Sequence, residues 1–130
     1  MARNDNLKEQ SRTEVPEPCL SPMLRLTLKK KEKFFGPGVA ALLHLIDQKG
    51  SIQMACEEMD MSYSKAWKIL KHAANELGYP LLNSKAGGAK GGQSTLSPEA
   101  LDFLASYDAM SKALEAHAEE LFEYYFKNNR

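Results

Sequence analysis

Residues 51–96 read SIQMACEEMDMSYSKAWKILKHAANELGYPLLNSKAGGAKGGQSTL, and this stretch decides the fold. Ser51 is a capping residue type, because its hydroxyl accepts an amide hydrogen that the first helical turn leaves unpaired. Behind it, Ile52, Ala55, Cys56 and Met59 recur at helical spacing, which predicts a helix over 52–59 with those four inward. Asp60-Met61-Ser62 is a short turn. A third helix is predicted over 62–77, with Ala66, Leu70, Ala73 and Leu77 on one stripe and Gly78 as its stop. Tyr79-Pro80 ends that element. Residues 81–85 have the length of a strand, 86–92 form a glycine-rich tip, and 93–96 return as a second strand.

The flanks extend this frame. Gly36-Pro37-Gly38 is loop punctuation, and Pro37 suits a first helical turn. A first helix is predicted over 39–49, with Val39, Leu42, Leu43 and Ile46 inward and Gly50 stopping it. Upstream, Leu24, Leu26 and Leu28 alternate with Arg25, Thr27 and Lys29, which predicts a half-buried strand over 23–29. Lys30, Lys31 and Lys33 read as a basic connector. Residues 1–22 hold mixed charges and three prolines, and read as a disordered leader. Downstream, Leu96-Ser97-Pro98-Glu99 is a helix start: Ser97 as cap, Pro98 first in the helix, Glu99 at the positive end of its dipole. That helix is expected to reach about 126. The predicted class is mainly α with a small β wing. It is a winged helix-turn-helix over 23–96, followed by a long C-terminal dimerisation helix over 97–130.

The chain has 130 residues, which points to one domain with a modest core. Its formal net charge is zero, yet the charges are segregated. Residues 62–92 carry five lysines against Glu76, and residues 23–35 carry five basic residues against Glu32. Residues 97–130 carry seven acids against three bases. Positive charge on the third helix and wing suits phosphate neutralisation. Cys19 and Cys56 lie in unlike settings and make no disulfide framework, which fits a reducing, cytoplasmic location. No apolar stretch reaches the roughly 20 residues that span a membrane.

A DNA-reading helix must be held by its inner face and offer polar groups outward. The third helix does both. Ser62, Tyr63, Ser64, Lys65, Lys68 and His72 from this helix, with Lys90 from the wing, are the candidate DNA contacts. Trp67 reads as a packing side chain and Cys56 as a small buried hydrophobe. The basic run around 29–33 reads as solvated charge. The glycine-rich tip lacks the order of a nucleotide-binding loop and lies between two strands, which excludes that function. His44, His72 and His117 stand on separate segments without ligand spacing, so no metal is expected. No nucleophile–base pattern appears, so no catalysis and no cofactor are expected either.

In the last helix, Leu104, Tyr107, Ser111, Leu114, Ala118, Leu121 and Tyr125 step by alternating three and four residues. That is a heptad-like seam. Leu104, Tyr107, Leu114, Leu121 and Tyr125 are its candidate dimerisation residues. A helix of nearly thirty residues is about 40 Å long, which outreaches one small domain. Packing on its own domain is the other reading of the same stripe.

The run from Gly50-Ser51-Ile52 to Met61-Ser62-Tyr63-Ser64-Lys65-Ala66-Trp67 resembles the N-terminal DNA-binding domain of the ModE family of molybdate-responsive regulators. More distantly it resembles the LysR-type helix-turn-helix. Leu81-Leu82, Gly87-Gly88-Ala89-Lys90-Gly91-Gly92 and Leu96-Ser97-Pro98 continue the likeness, which covers about residues 24–126. The resemblance implies a homodimer held partly by the C-terminal helix, with double-stranded DNA as partner and the third helix in the major groove. It is expected to cover the DNA-binding part of that family without the molybdate-binding domains, and no effector is assigned. Two functions stay open: a sequence-specific transcriptional regulator, and a winged-helix module for protein–protein interaction.

Overall fold

Two serines and three small residues organise the centre of the chain. In the computed structural model, which describes residues 18–84 and 93–128, Ser51 Oγ accepts the Met54 amide at 3.1 Å. This starts a helix at Ile52–Met59. Ser62 Oγ accepts the Lys65 amide at 3.1 Å and starts the next, Tyr63–Leu77. A preceding helix spans Pro37–Lys49. These are α1 (Pro37–Lys49), α2 (Ile52–Met59) and α3 (Tyr63–Leu77). Ala55, Ala66 and Ala73 are wholly buried, which allows the helix backbones to approach closely. Leu42, Leu43 and Ile46 of α1 are also wholly buried, each contributing about 2 kcal/mol of apolar transfer energy.

The turns between these helices use the left-handed backbone region. Gly50 ends α1 at φ 76° and donates its amide to the Ile46 carbonyl at 2.7 Å. A Cβ is strained in that conformation, so glycine fits. Asp60 ends α2 at φ 56°, a conformation that Asp tolerates better than most residues.

Two short antiparallel ribbons complete the fold. β1 (Leu28–Lys29) pairs with β2 (Lys33–Phe35), with Leu28 opposite Phe35. β3 (Leu82–Ser84) pairs with β4 (Ser94–Leu96), with Leu82 opposite Leu96. The β3–β4 ribbon is the wing. The tip expected at 86–92 and the leader residues 1–17 lie outside the described residues. The Ser94 amide donates to the Gly50 carbonyl at 2.9 Å, which ties the wing to the end of α1.

The expected strand over 23–29 is corrected to two residues, and the basic connector is not a connector. Leu24 is exposed, and only Leu28 and Lys29 find a ladder partner. The partner strand lies in the basic run itself, because Phe34 and Phe35 are the apolar pair that the core takes in.

The last helix, α4 (Pro98–Phe126), starts where expected. Ser97 is buried, donates its hydroxyl to the Pro80 carbonyl at 2.7 Å and accepts the Ala100 amide at 3.1 Å. Ala100, Leu104 and Tyr107 belong to the same core as α1–α3. Phe35 meets Phe103 and Tyr107 edge-on, with ring centroids 4.8 and 5.0 Å apart. Packing therefore does not divide the chain at 96/97. Leu24–Ala116 forms one compact unit, and the described residues of the two chain ends, 18–23 and 117–128, belong to the other. In the second unit Phe122 and Phe126 stack at 5.0 Å, while Tyr124 and Tyr125 are exposed. The architecture is a winged helix with a long C-terminal helix. Among the described residues, no helix is long and apolar enough to cross a membrane.

Candidate nucleic-acid interface

The packing of α3 fixes which of its residues face outward. Ala66, Leu70 and Ala73 are buried, and Leu77 is half-buried against the same core. The opposite sides are left to Tyr63, Ser64, Lys65, Trp67, Lys68 and Lys71, all exposed. Lys65, Lys68 and Lys71 have no carboxylate partner among the described residues, so their charge is directed to solvent or to a ligand.

The entrance to α3 is held by three contacts. The Met61 amide donates to the Cys56 carbonyl at 3.0 Å, and the Asp60 amide to the Glu57 carbonyl at 3.2 Å. Cys56 Sγ lies 3.9 Å from the Ser62 carbonyl, a weak thiol hydrogen bond between α2 and the start of α3. Burial, and then the neighbouring Glu57 carboxylate, push the Cys56 thiol pKa up. It stays neutral and structural, as a small buried hydrophobe does.

Of the expected DNA contacts, Tyr63, Ser64, Lys65 and Lys68 lie together on the exposed surface of α3. Ser62 is exposed too, but its hydroxyl is committed to capping. His72 stands apart from these. It is half-buried, and its Nε2 lies 3.4 Å from the Lys33 carbonyl, so it turns toward β2 rather than outward. Its position on the far flank of the helix from Trp67 explains the difference. Lys90 lies outside the described residues.

Trp67 is corrected. It was expected to pack, yet it is 42% exposed and meets Tyr63, itself 49% exposed, edge-on at 6.4 Å. Sequence reasoning missed it because Trp usually supplies buried area. Its spacing gave the signal: it stands one residue after Ala66, off the Ala66–Leu70–Ala73 stripe. Beside it an open cleft of about 460 Å³ runs along α3 to β3, lined by Trp67, Lys71, Asn75, Tyr79 and Leu82. The Tyr79 pKa is raised by burial, and further by Glu99 and Asp102.

The seam expected on α4 divides in two. Leu104 and Tyr107 are buried in the chain's own core, and Tyr107 donates its hydroxyl to the Leu26 carbonyl at 2.6 Å. They hold α4 to its own domain. Leu114 is half-buried and lines a second cleft with Leu24, Leu26, Ala40 and Ser111. Leu121 and Tyr125 are exposed. His44 Nε2 lies 2.7 Å from Asp108 Oδ2, linking α1 to α4. Among the described residues no group of His, Cys, Asp and Glu is placed to hold a metal ion.

No protein-family model matches the chain. Curated relatives do. The molybdenum transport protein ModE of Herbaspirillum seropedicae is 34% identical over 93 residues, covering 72% of this chain and 33% of that protein. The transcriptional regulator ModE of Haemophilus influenzae is 36% identical over 92 residues, covering 69% and 36%. These likenesses are consistent with a ModE-type N-terminal domain. The molybdenum-pterin-binding protein MopB of Rhodobacter capsulatus, 32% identical over 85 residues, covers 65% of this chain and 32% of its own length. The chain spans about a third of the length of these relatives. Matches of 85 to 93 residues in a chain of 130 necessarily include residues 52–77, and so α2 and α3.

Proposed function

We propose that this ModE-type domain is a sequence-specific, double-stranded DNA-binding transcriptional regulator that acts as a homodimer. The observation that carries the reading is the outer face of α3. It presents Tyr63, Ser64, Lys65, Trp67, Lys68 and Lys71 to solvent, while its inner stripe is wholly occupied by the core. In this reading α3 enters the major groove, Ser64, Lys65 and Lys68 meet base edges and phosphates, and the wing tip over 86–92 lies on the backbone through Lys90. The name of one relative, a transcriptional regulator, supports the assignment. None of these six outward side chains is acidic, so the face carries the charge of Lys65, Lys68 and Lys71.

Self-association is supported by the exposed apolar side chains of the last turns, Leu121, Tyr124, Tyr125 and Phe126. Exposed apolar clusters of this kind mark interaction surfaces. Two copies would place two α3 helices on half-sites about one helical turn apart, roughly 34 Å, or a multiple of it.

The test is fluorescence anisotropy with a duplex recovered by selection from a random pool, in a salt series, on the wild type and the Lys65→Ala/Lys68→Ala double variant. Weaker binding and a shallower salt slope in the variant are expected. Wild-type affinity in the variant overturns the assignment of α3. A monomer by light scattering, with no duplex binding at low salt, turns the protein into a protein–protein interaction module.

A further inference from the structure

We infer that Tyr63 and Trp67 form an apolar reading surface for the 5-methyl groups of thymine in the major groove, an inference that rests on the DNA-binding reading above. The two residues are one turn apart on a 15-residue helix and therefore stand on one side of it. Their rings touch edge-on at 6.4 Å with planes inclined at 69°. They are 49% and 42% exposed, and the core cluster uses neither. Each ring thus leaves roughly half of its surface in water, a large apolar area for side chains outside the core.

The neighbours of the pair indicate what covers it. Counting from Tyr63, Ser64, Trp67, Lys68 and Lys71 fall at one, four, five and eight residues on, so hydroxyl, ring and two ammonium groups share a face. Protein interfaces are depleted of lysine, and an apolar protein partner would leave these ammonium groups desolvated. A DNA groove accepts both kinds of side chain: phosphates flank it for the lysines, and base edges floor it for the rings. Only one group on that floor is apolar, the thymine methyl. Cytosine instead offers an amino donor, for which an indole or phenyl face has no acceptor of matching strength. The pair therefore favours thymine at the steps it faces, beside positions that Ser64 and Lys68 read by hydrogen bonds.

Uracil differs from thymine by that methyl alone, so the test replaces each thymine of a pool-selected duplex with deoxyuridine in turn. Anisotropy titrations then compare the wild type, Trp67→Ala and Trp67→Phe. One or two positions per half-site are expected to cost the wild type about fourfold in affinity, the worth of one buried methyl. Trp67→Ala is expected to lose that sensitivity while keeping its salt slope and its helical circular dichroism, and Trp67→Phe to retain part of it. A wild type indifferent to every deoxyuridine, or an equal loss in Trp67→Ala, overturns the contact and leaves DNA binding standing. Failure to recover any duplex, with no binding at low salt, overturns both.

Discussion

The Tyr107 hydroxyl donates a 2.6 Å hydrogen bond to the backbone carbonyl of Leu26, joining α4 to the extended segment before β1 across 81 positions of sequence. The ring below that hydroxyl packs edge-on against Phe35. One side chain thus fastens both sides of the N-terminal segment to the long helix. Tyr107→Phe keeps the ring and removes only the bond. It is expected to lower unfolding stability by about 1 kcal/mol, read as a lower urea midpoint at unchanged slope. An unchanged midpoint would show that the bond contributes nothing net.

Ser97 combines a cap and a tether. Its hydroxyl serves the Ala100 amide and the Pro80 carbonyl, and its own amide donates to the Leu81 carbonyl at 2.8 Å. Ser97→Ala is expected to cost about 2 kcal/mol, because a buried cap and a buried carbonyl's partner go together. Ser51→Ala removes an exposed cap only, and should cost about half as much in the same urea titration.

Gly50 is held at positive φ while its carbonyl receives the wing's Ser94 amide. Gly50→Ala adds left-handed strain of about 1–2 kcal/mol. Thermal unfolding should show the loss. Amide exchange should show it locally too, as faster exchange at Ser94 than at the α1 core.

Alkaline pH should weaken the fold through Cys56 and Tyr79, whose pKa values burial raises. Both groups are acids, so the unfolded chain ionises first. The stability they confer is complete below the unfolded thiol's range, about pH 8.5, and is lost as pH rises through the higher folded values. Urea midpoints are expected to fall from about pH 8.5 upward, with the tyrosine contributing only above about pH 10. Cys56→Ala should flatten the earlier part of that fall; an identical pH profile in the variant would remove the thiol from the account.

His72 separates the surface facing outward from the helix as a whole. Since its ring turns to the Lys33 carbonyl, His72→Ala should leave affinity for a pool-selected duplex within about twofold, the level of a non-contact. Lys68→Ala should lower the salt slope by about one ion.

The three helices, the wing strands and the capping serines were legible because they depend on local chemistry. Ala66, Leu70 and Ala73 can form one stripe in only one helical phase, and Ser51, Ser62 and Ser97 are capping residues by side-chain reach. The first ribbon was obscured because lysines surround Phe34 and Phe35, so charge concealed a two-residue apolar anchor. Leu104 and Tyr107 fitted a seam by spacing, since periodicity identifies a face without saying which surface meets it. Trp67 was misread because residue type was weighed above phase. The contact of His72 with β2 was not legible, because only tertiary structure places that strand beside its ring.

The division of labour along α3 bears on how such a helix can change over generations. Ala66, Leu70 and Ala73 carry its attachment to the core, and the outward positions take no part in that cluster. Substitutions at 64, 68 and 71 can therefore accumulate with little folding penalty. Lineages that share this scaffold are free to drift apart in the sequences they recognise while their inner stripes stay alike.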